Sequence, residues 1–379
     1  MNKILIGIIG STGRVGREAL NILKEKYEIR AGYRNSKPCD DHNKDVAYKH
    51  VDIMDAESLY EFCRGCSVIL NCAGPSYIIT DKAACMACKA GADYIDAYGT
   101  YELRNSLRSK GIEDKNLYVL GTGVYPGLSG IFSKYMSRLC SGGIEKYYGF
   151  IGSYESIGKT AAMDLLNSSA SSFGIANGYY ENSTVKIEKY AEEKKLFIPY
   201  NINHNVLLNE YLNEEVLDFA KNENVKCAKC YNIVNDKEYT RILAEAYSLF
   251  AQKENTEEID KLTDELVKKA SNVKKPWNVL IVETEGCDKT NNEVKKRGVV
   301  YNESGYKLSG IILALVTIQI VNYRLENKLI RNGVYWPYEI TDSEFIINEI
   351  NKFDMNIHIQ IEAFESSILD GVLEEYGII

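Results

Sequence analysis

The stretch that most limits what this chain can fold into is its beginning. Residues 3–9 form an apolar run, KILIGII, that opens directly into Gly10-Ser11-Thr12-Gly13-Arg14-Val15-Gly16 and then into an amphipathic stretch over 17–27. A buried parallel strand, a glycine turn and a helix read this way. One glycine makes the tight turn, the next lets a ligand approach the backbone, and the third lets helix and strand pack closely. A helix N-terminus so placed presents N–H groups and a positive dipole end to a phosphate. Gly10, Ser11, Thr12, Gly13, Arg14 and Val15 are therefore expected to hold the pyrophosphate of a dinucleotide.

The alternation continues. Residues 28–33, 48–53, 67–72, 94–97 and 117–120 read as strands. Helical stretches lie between them, one over 55–64 and one running from Thr80, a good N-cap, to Gly91. Strands separated by helices of this length imply βαβ units and a parallel sheet covered on both faces. The expected fold class is α/β, with a Rossmann-type doubly wound parallel sheet at the N-terminus followed by an α+β domain.

The end of the second strand bears on the cofactor. A dinucleotide enzyme that takes NAD usually places Asp or Glu there for the ribose hydroxyls. This chain has Tyr33-Arg34-Asn35-Ser36-Lys37. Arg34 can take a 2'-phosphate with two parallel hydrogen bonds, with Tyr33 beside it, so NADP is favoured and NAD is the alternative. Arg34 and Lys37 also fit an ordinary solvated turn. Asp52 and Ile53, after the third strand, are expected to flank the adenine. Asn71, Cys72, Ala73, Gly74 and Pro75 close the fourth strand, where the ribose and nicotinamide would lie, since ligands gather at the carboxyl ends of such strands.

Composition narrows the rest. With 379 residues and a hydrophobic fraction of 45%, the chain can bury two cores. A net charge of -8 argues against a nucleic-acid surface, which needs excess Lys and Arg. The longest apolar run, 311–321, is interrupted by Thr317 and Gln319 and is too short to span a bilayer, so no membrane partner is expected. A cytoplasmic location follows from the lack of an export signal at the N-terminus. Three pairs have CxxC spacing, Cys63 with Cys66, Cys85 with Cys88 and Cys227 with Cys230, and two such pairs could make a zinc site. Their contexts read better as small apolar residues in helices and strands, and the four histidines have no ligand spacing, so no metal is expected.

A family resemblance then emerges from successive motifs: residues 68–75 (VILNCAGP), 90–96 (AGADYID), 123–129 (GVYPGLS) and 333–339 (GVYWPYE). Together they resemble the saccharopine dehydrogenase (saccharopine reductase) family, over residues 1–135 and again over 277–340. The resemblance implies an NAD(P)-binding Rossmann domain over 1–128 and an α+β substrate-binding and dimerisation domain over 129–305. A helical segment over 306–379 would return to the first domain. It also implies a homodimer, a small-molecule substrate and a reaction on a C=N bond, in which an imine is reduced to a secondary amine or the amine is oxidised. Some members carry Asp before the Pro-Gly of the third motif, where this chain has Tyr125.

In the middle of the chain, residues 277–283 and 294–301 flank a polar turn and read as a hairpin in a mostly antiparallel or mixed sheet. Residues 191–271 read as mostly charged and helical, interrupted near Pro199 and Cys227. Residues 152–160 imitate a P-loop without its first glycine; a strand-to-helix turn is the better reading, with Ser156 or Lys159 able to bind a substrate carboxylate.

Asp96, Tyr98 and Tyr125, at the carboxyl ends of strands, are the candidates for orienting substrate or relaying a proton. Asp96 has a second reading as the cap of the next helix. Two functions of different class remain: an NAD(P)H-dependent oxidoreductase, and a catalytically inactive NADP-binding sensor or scaffold, since a fold alone does not fix function.

Overall fold

The computed structural model describes residues 4–38, 44–170, 173–188, 194–196, 206–234, 237–251, 256–326, 328 and 330–370. The chain divides into two compact units: residues up to Ile131 with Tyr306–Phe353, and Phe132–Gly305 with the chain from Asp354 on.

The first unit is built on seven parallel strands. These are β1 (Leu5–Ile9), β2 (Glu28–Tyr33), β3 (Val46–His50), β4 (Val68–Asn71), β5 (Asp93–Asp96), β6 (Leu117–Val119) and the strand Gly333–Tyr335. Their spatial order is β3, β2, β1, β4, β5, β6, then Gly333–Tyr335. That is the doubly wound order extended by one strand, and it reverses between β1 and β4, the point where such sheets bind their ligands. Helix α1 (Arg14–Leu23) follows the glycine turn. The helix Ala56–Cys63 starts at Asp55, whose carboxylate accepts from the N–H groups of Glu57 and Ser58. Leu59, Phe62, Ala83, Ala87, Tyr94 and Tyr118 are fully buried on one face of the sheet.

Thr80 does not start the following helix. It stands at φ 53° between a short helix, Ser76–Ile79, and Lys82–Lys89, for which Asp81 is the N-cap residue. The third strand ends at His50, so Asp52 and Ile53 lie in the turn beyond it, where Asp52 Oδ1 accepts from the Met54 N–H at 2.9 Å.

The apolar run at 311–321 lies in a longer helix than its own length suggests. Gly305–Leu325 has 21 residues, and by length and composition it could cross a membrane, but 72% of its apolar window is buried inside the protein. An all-round apolar helix of this kind is a core helix when protein surrounds it. Its polar side chains are satisfied locally: the Thr317 hydroxyl donates to Leu313 O at 2.7 Å, and Gln319 Oε1 accepts from the Asp342 N–H at 2.7 Å. In its last turn Arg324 grips Asp93 with contacts of 3.1 and 3.2 Å, and beyond it the Asn332 side chain donates to Lys115 O at 2.8 Å. These bonds set Gly333–Tyr335 beside β6.

Among the described residues, the second unit holds a ten-stranded mixed sheet. Its central strand, Gly143–Tyr154, pairs parallel with Cys227–Val234 and antiparallel with Trp277–Cys287. Trp277–Cys287 turns back into Glu293–Asn302 as a hairpin, the turn being tied by Asp288 Oδ1, which accepts from Thr290 N and Asn292 N at 2.8 and 2.9 Å. Helices Lys159–Ala170, Lys237–Ala251 and Thr256–Ser271 pack together through Ala162, Leu166, Ile242, Ala246, Leu262 and Leu266.

Among the described residues, 191–271 is mostly helical as expected, in Glu214–Asn222, Lys237–Ala251 and Thr256–Ser271, and strands Val206–Asn213 and Cys227–Val234 interrupt it because their apolar residues complete the sheet core; Pro199 falls outside the described residues. One expectation is corrected. The 306–379 segment does not stay with the first unit. After Phe353 the chain joins the second, where His358–Ala363 pairs with Glu293–Asn302.

Candidate dinucleotide and substrate site

The glycine turn is built as its spacing demands. Gly10 stands at φ +76°, and a Cβ there would come within 2.8 Å of Ala73 N. A Cβ on Gly16 would meet Gly10 O at 2.3 Å, so α1 can approach the turn only without a side chain there. Gly13 is different. Its backbone, φ -71° and ψ 167°, suits any residue, and the one atom near a built Cβ is Gly10 O at 3.3 Å. The protein itself does not need glycine at this position; a ligand lying against the backbone does. Gly13 is also the N-cap of α1 and has no side chain to satisfy the first-turn N–H groups, which suits an anion. Ser11 is buried and joins the turn to β2, its N–H and hydroxyl both donating to Gly32 O, at 3.2 and 2.9 Å. Thr12 and Arg14 are exposed and Val15 half-buried; the Arg14 guanidinium lies 5.0 Å from the Tyr306 ring centroid.

At the end of β2, Tyr33 packs edge-on against His50 with ring centroids 5.8 Å apart, and Arg34 and Lys37 are exposed. No acidic residue occupies the end of the strand.

Across the switch point, Asn71 closes β4 level with Ile9 of β1 and Asp96 of β5. Asn71, 4% exposed, donates to Asp96 Oδ2 at 3.0 Å, while its Oδ1 accepts from the Ala73 N–H at 3.2 Å. Asp96 Oδ2 also accepts from the Tyr94 hydroxyl. Its Oδ1 accepts from the N–H groups of Tyr98 and Gly99 at 2.8 and 3.0 Å. Burial, and then the Asp96 charge, push the Tyr94 hydroxyl well above the usual tyrosine range and the Cys72 thiol upward too. Both stay protonated donors or neutral groups around one carboxylate.

This arrangement assigns Asp96 a framework role. Both oxygens are engaged by protein donors, so it fixes the 71–75 and 97–99 loops; it does not cap the next helix, whose N-cap is Thr100. Tyr94, which sequence reasoning passed over as a strand residue, is part of this network. Its signal was the i, i+2 spacing to Asp96, which puts both on one face of a strand.

Tyr98 and Tyr125 are half-buried on neighbouring loops. Thr122 N donates to Asp96 O at 2.8 Å, which ties the 121–127 loop to the end of β5. That loop closes on itself through Gly123 N to Pro126 O at 3.0 Å and Leu128 N to Gly123 O at 3.0 Å. Residues 71–75, 96–99 and 121–125 therefore share one edge of one sheet.

In the second unit, Glu155 to Gly158 do link a strand to a helix, but Lys159 faces acids: Asp264 at 3.3 Å and Asp260 at 3.6 Å. An exposed lysine so paired is a poor carboxylate receptor. Among the described residues no cluster of His, Cys, Asp and Glu is placed to hold a metal ion, and His42 and His204 lie outside those residues. Cys63 and Cys66 are buried; burial and its Cys66 neighbour push the Cys63 thiol up to about 12, which leaves it unreactive.

Residues 6–116 match the saccharopine dehydrogenase NADP binding domain family. No curated protein matches the chain by sequence. Among solved structures, apo saccharopine dehydrogenase (L-Glu forming) from Saccharomyces cerevisiae superposes with a TM-score of 0.62 at 11% identity, over 96% of this chain and 100% of that one. A mutant meso-dapdh from Clostridium tetani covers 90% of this chain and 96% of its own, at 13% identity and a TM-score of 0.44. The chain thus carries a nicotinamide-dinucleotide-binding domain of the saccharopine dehydrogenase type and is saccharopine dehydrogenase-like in its fold over 96% of its length.

Proposed function

We propose that the protein is an NADP-dependent oxidoreductase that acts on a C=N bond, reducing an imine to a secondary amine or oxidising that amine. The observation that carries this reading is the pairing of an unfilled space at Gly13 with the Asn71–Asp96 network on the other side of the switch point. The first leaves room for a pyrophosphate, and the second shapes the floor where a nicotinamide ring would rest. When bound, the cofactor supplies or accepts the hydride.

The chain's own residues do the rest. The turn 10–15 receives the pyrophosphate, and Arg34, at the end of β2, receives the 2'-phosphate, which is the basis for preferring NADP to NAD. Asp96 holds the loops. Tyr98 or Tyr125 exchanges a proton with the amine nitrogen, a task for which a tyrosine hydroxyl at the same sheet edge suffices. We further propose a homodimer, as the family resemblance implies; light scattering on the purified chain tests it.

The test is a panel of primary amines with 2-oxo acids and aldehydes in the presence of NADPH, followed by loss of reduced-nicotinamide absorbance. Turnover that needs both an amine and a carbonyl partner supports imine chemistry. Consumption with the carbonyl compound alone makes it an alcohol dehydrogenase type of reaction. Cofactor binding without turnover of any pair points to the sensor, a reading favoured by one observation: Tyr125 stands where some members of the resembled family carry Asp.

A further inference from the structure

A strand at the rim of a sheet leaves a row of backbone N–H and C=O groups open to any other strand, and proteins guard such rims with short strands, lysine, proline or a bulge. Among the described residues the rims are guarded in this way, with one exception. In the first unit, β3 carries Lys49, and Gly333–Tyr335 has only three residues. In the second, Thr184–Ile187 has four residues with Lys186 among them, and Lys194–Leu196 and Gly174–Ala176 have three each. The exception is His358–Ala363, six residues long, HIQIEA, with no lysine, proline or glycine. It pairs with Glu293–Asn302 in unbroken register, from Tyr301 opposite His358 to Lys296 opposite Ala363, and no described strand lies on its other side.

Successive side chains of a strand face opposite sides of the sheet. His358, Gln360 and Glu362 therefore share the side of Tyr301, and Ile359, Ile361 and Ala363 lie on the other. The polar side is already ordered: the Gln360 amide donates to Glu362 Oε2 at 2.9 Å, and His358 stacks on Tyr301 with ring centroids 6.3 Å apart. The apolar side is open, Ile361 being 36% exposed.

This strand is complementary to itself. When a second copy lies antiparallel to it about a two-fold axis normal to the sheet, the axis falls on a residue, because opposed side chains must share a face. Placed on Gln360, the axis sets the His358 imidazole opposite the Glu362 carboxylate of the second copy, twice, and Ile359 opposite Ile361, twice. Placed on Ile359 or Ile361, it opposes no imidazole to a carboxylate. Cross-strand pairs of these kinds are what stabilise a ladder beyond its backbone hydrogen bonds.

We propose that two copies of this chain associate edge to edge through His358–Ala363, antiparallel about a two-fold axis at Gln360, so that one sheet continues from copy to copy. The inference rests on the homodimer reading and goes beyond it by naming the strand that makes the contact.

Light scattering on the full chain over a dilution series, with NADPH titration in parallel, tests it. Wild type is expected to form a reversible dimer. Ile361→Lys puts a guarding lysine at an already exposed position; it should raise the dimer dissociation constant by about 10-fold or more and leave the NADPH titration unchanged. In Gln360→Cys the two new thiols face each other across the axis. Oxidised glutathione should take up their two electrons and two protons and leave a disulfide-linked dimer, while wild type and Ile187→Cys, on another rim of the same sheet, stay unlinked. In a chain that dimerises, a dimer that survives Ile361→Lys, or the absence of the link in Gln360→Cys, overturns the edge contact and leaves the homodimer standing. A chain that is monomeric at every concentration overturns both.

Discussion

The Asn71 amide donates to Asp96 at 3.0 Å, and through that one bond the ends of two neighbouring parallel strands are fixed to each other. Asn71 also holds Ala73, and Asp96 holds Tyr98 and Gly99, so a single buried pair sets two loops at this edge of the sheet. A carboxylate with four donors in a nearly water-free site is stable because every lone pair in use meets an N–H or O–H.

Removing that carboxylate strands its donors. Asp96→Ala should destabilise the first unit by about 3 kcal/mol, while Tyr94→Phe, which takes away one donor and leaves Asp96 three, should lose only about 1 kcal/mol. Urea denaturation of both variants checks the ratio. Equal losses would mean that the network is not centred on Asp96.

Gly13→Val should leave the fold intact, since φ -71° accommodates valine and only Gly10 O lies near its Cβ. Cofactor binding should disappear, because the branched side chain fills the space of the pyrophosphate. An unchanged melting temperature with no cofactor titration is the expected pair of results; normal titration sinks the site.

The proposed preference for NADP rests on Arg34. Arg34→Ala should lose about 1.5 to 3 kcal/mol of NADP affinity with little change in NAD affinity, the cost of a charged hydrogen-bonded contact. Calorimetry with both cofactors checks this, and an unaltered NADP preference counts against it.

How far the sequence reveals all this depends on the range of the interaction. The strand, glycine turn and helix at 5–23 are encoded by neighbours in the chain, and so is the hairpin turn at Asp288, tied by Thr290 and Asn292. Asp96 reads as a catalytic candidate or a helix cap because its partners Asn71 and Tyr94 come together only when β4 and β5 pair. Thr80 has an N-cap's chemistry but sits at a positive φ between two helices, a tertiary choice that overrides local preference. Within 191–271, which is otherwise mostly helical, charged Glu210 and Lys229 disguise two adjacent strands, on which they pair at 3.4 Å. The return of the chain at Asp354 depends on pairing with a strand some 60 residues earlier, which no local signal announces.

Acid stability should show the Asp81–Lys110 pair. Burial pushes the Asp81 carboxyl up, but hydrogen bonds from Lys110 and Ser106 outweigh it and hold the carboxyl below its ordinary value. A group depressed in the folded state contributes above its unfolded pKa of 3.8 and loses that contribution as pH falls through the folded value. Wild type should therefore exceed Asp81→Asn in stability near neutrality, and the gap should close in acid below pH 3.8. A gap that is constant with pH would remove the charge from the explanation.

The second unit has its own buried pair, and it makes the most severe prediction. Glu283 is fully buried at the middle of the sheet and meets Arg297, 14% exposed, at 2.6 Å. Glu283 also accepts from the Ser367 hydroxyl and from Ile368 N at 3.1 Å, and Arg297 donates to Ser366 O at 3.0 Å. Phe364 lies under the guanidinium with its centroid 5.1 Å away. The pair thus binds the chain at 364–368 across the sheet. Glu283→Ala leaves a mostly buried guanidinium without its carboxylate and releases that segment, and losing one partner of such a pair costs about 3 to 5 kcal/mol. Replacing both, as Glu283→Leu with Arg297→Met, should recover most of the sheet's stability while leaving 364–368 unanchored. Limited proteolysis should then cut near residue 366 in both the single and the double variant, although only the single variant melts early. A double variant as unstable as the single one would show that the ion pair, and not the uncompensated charge, is what the sheet depends on.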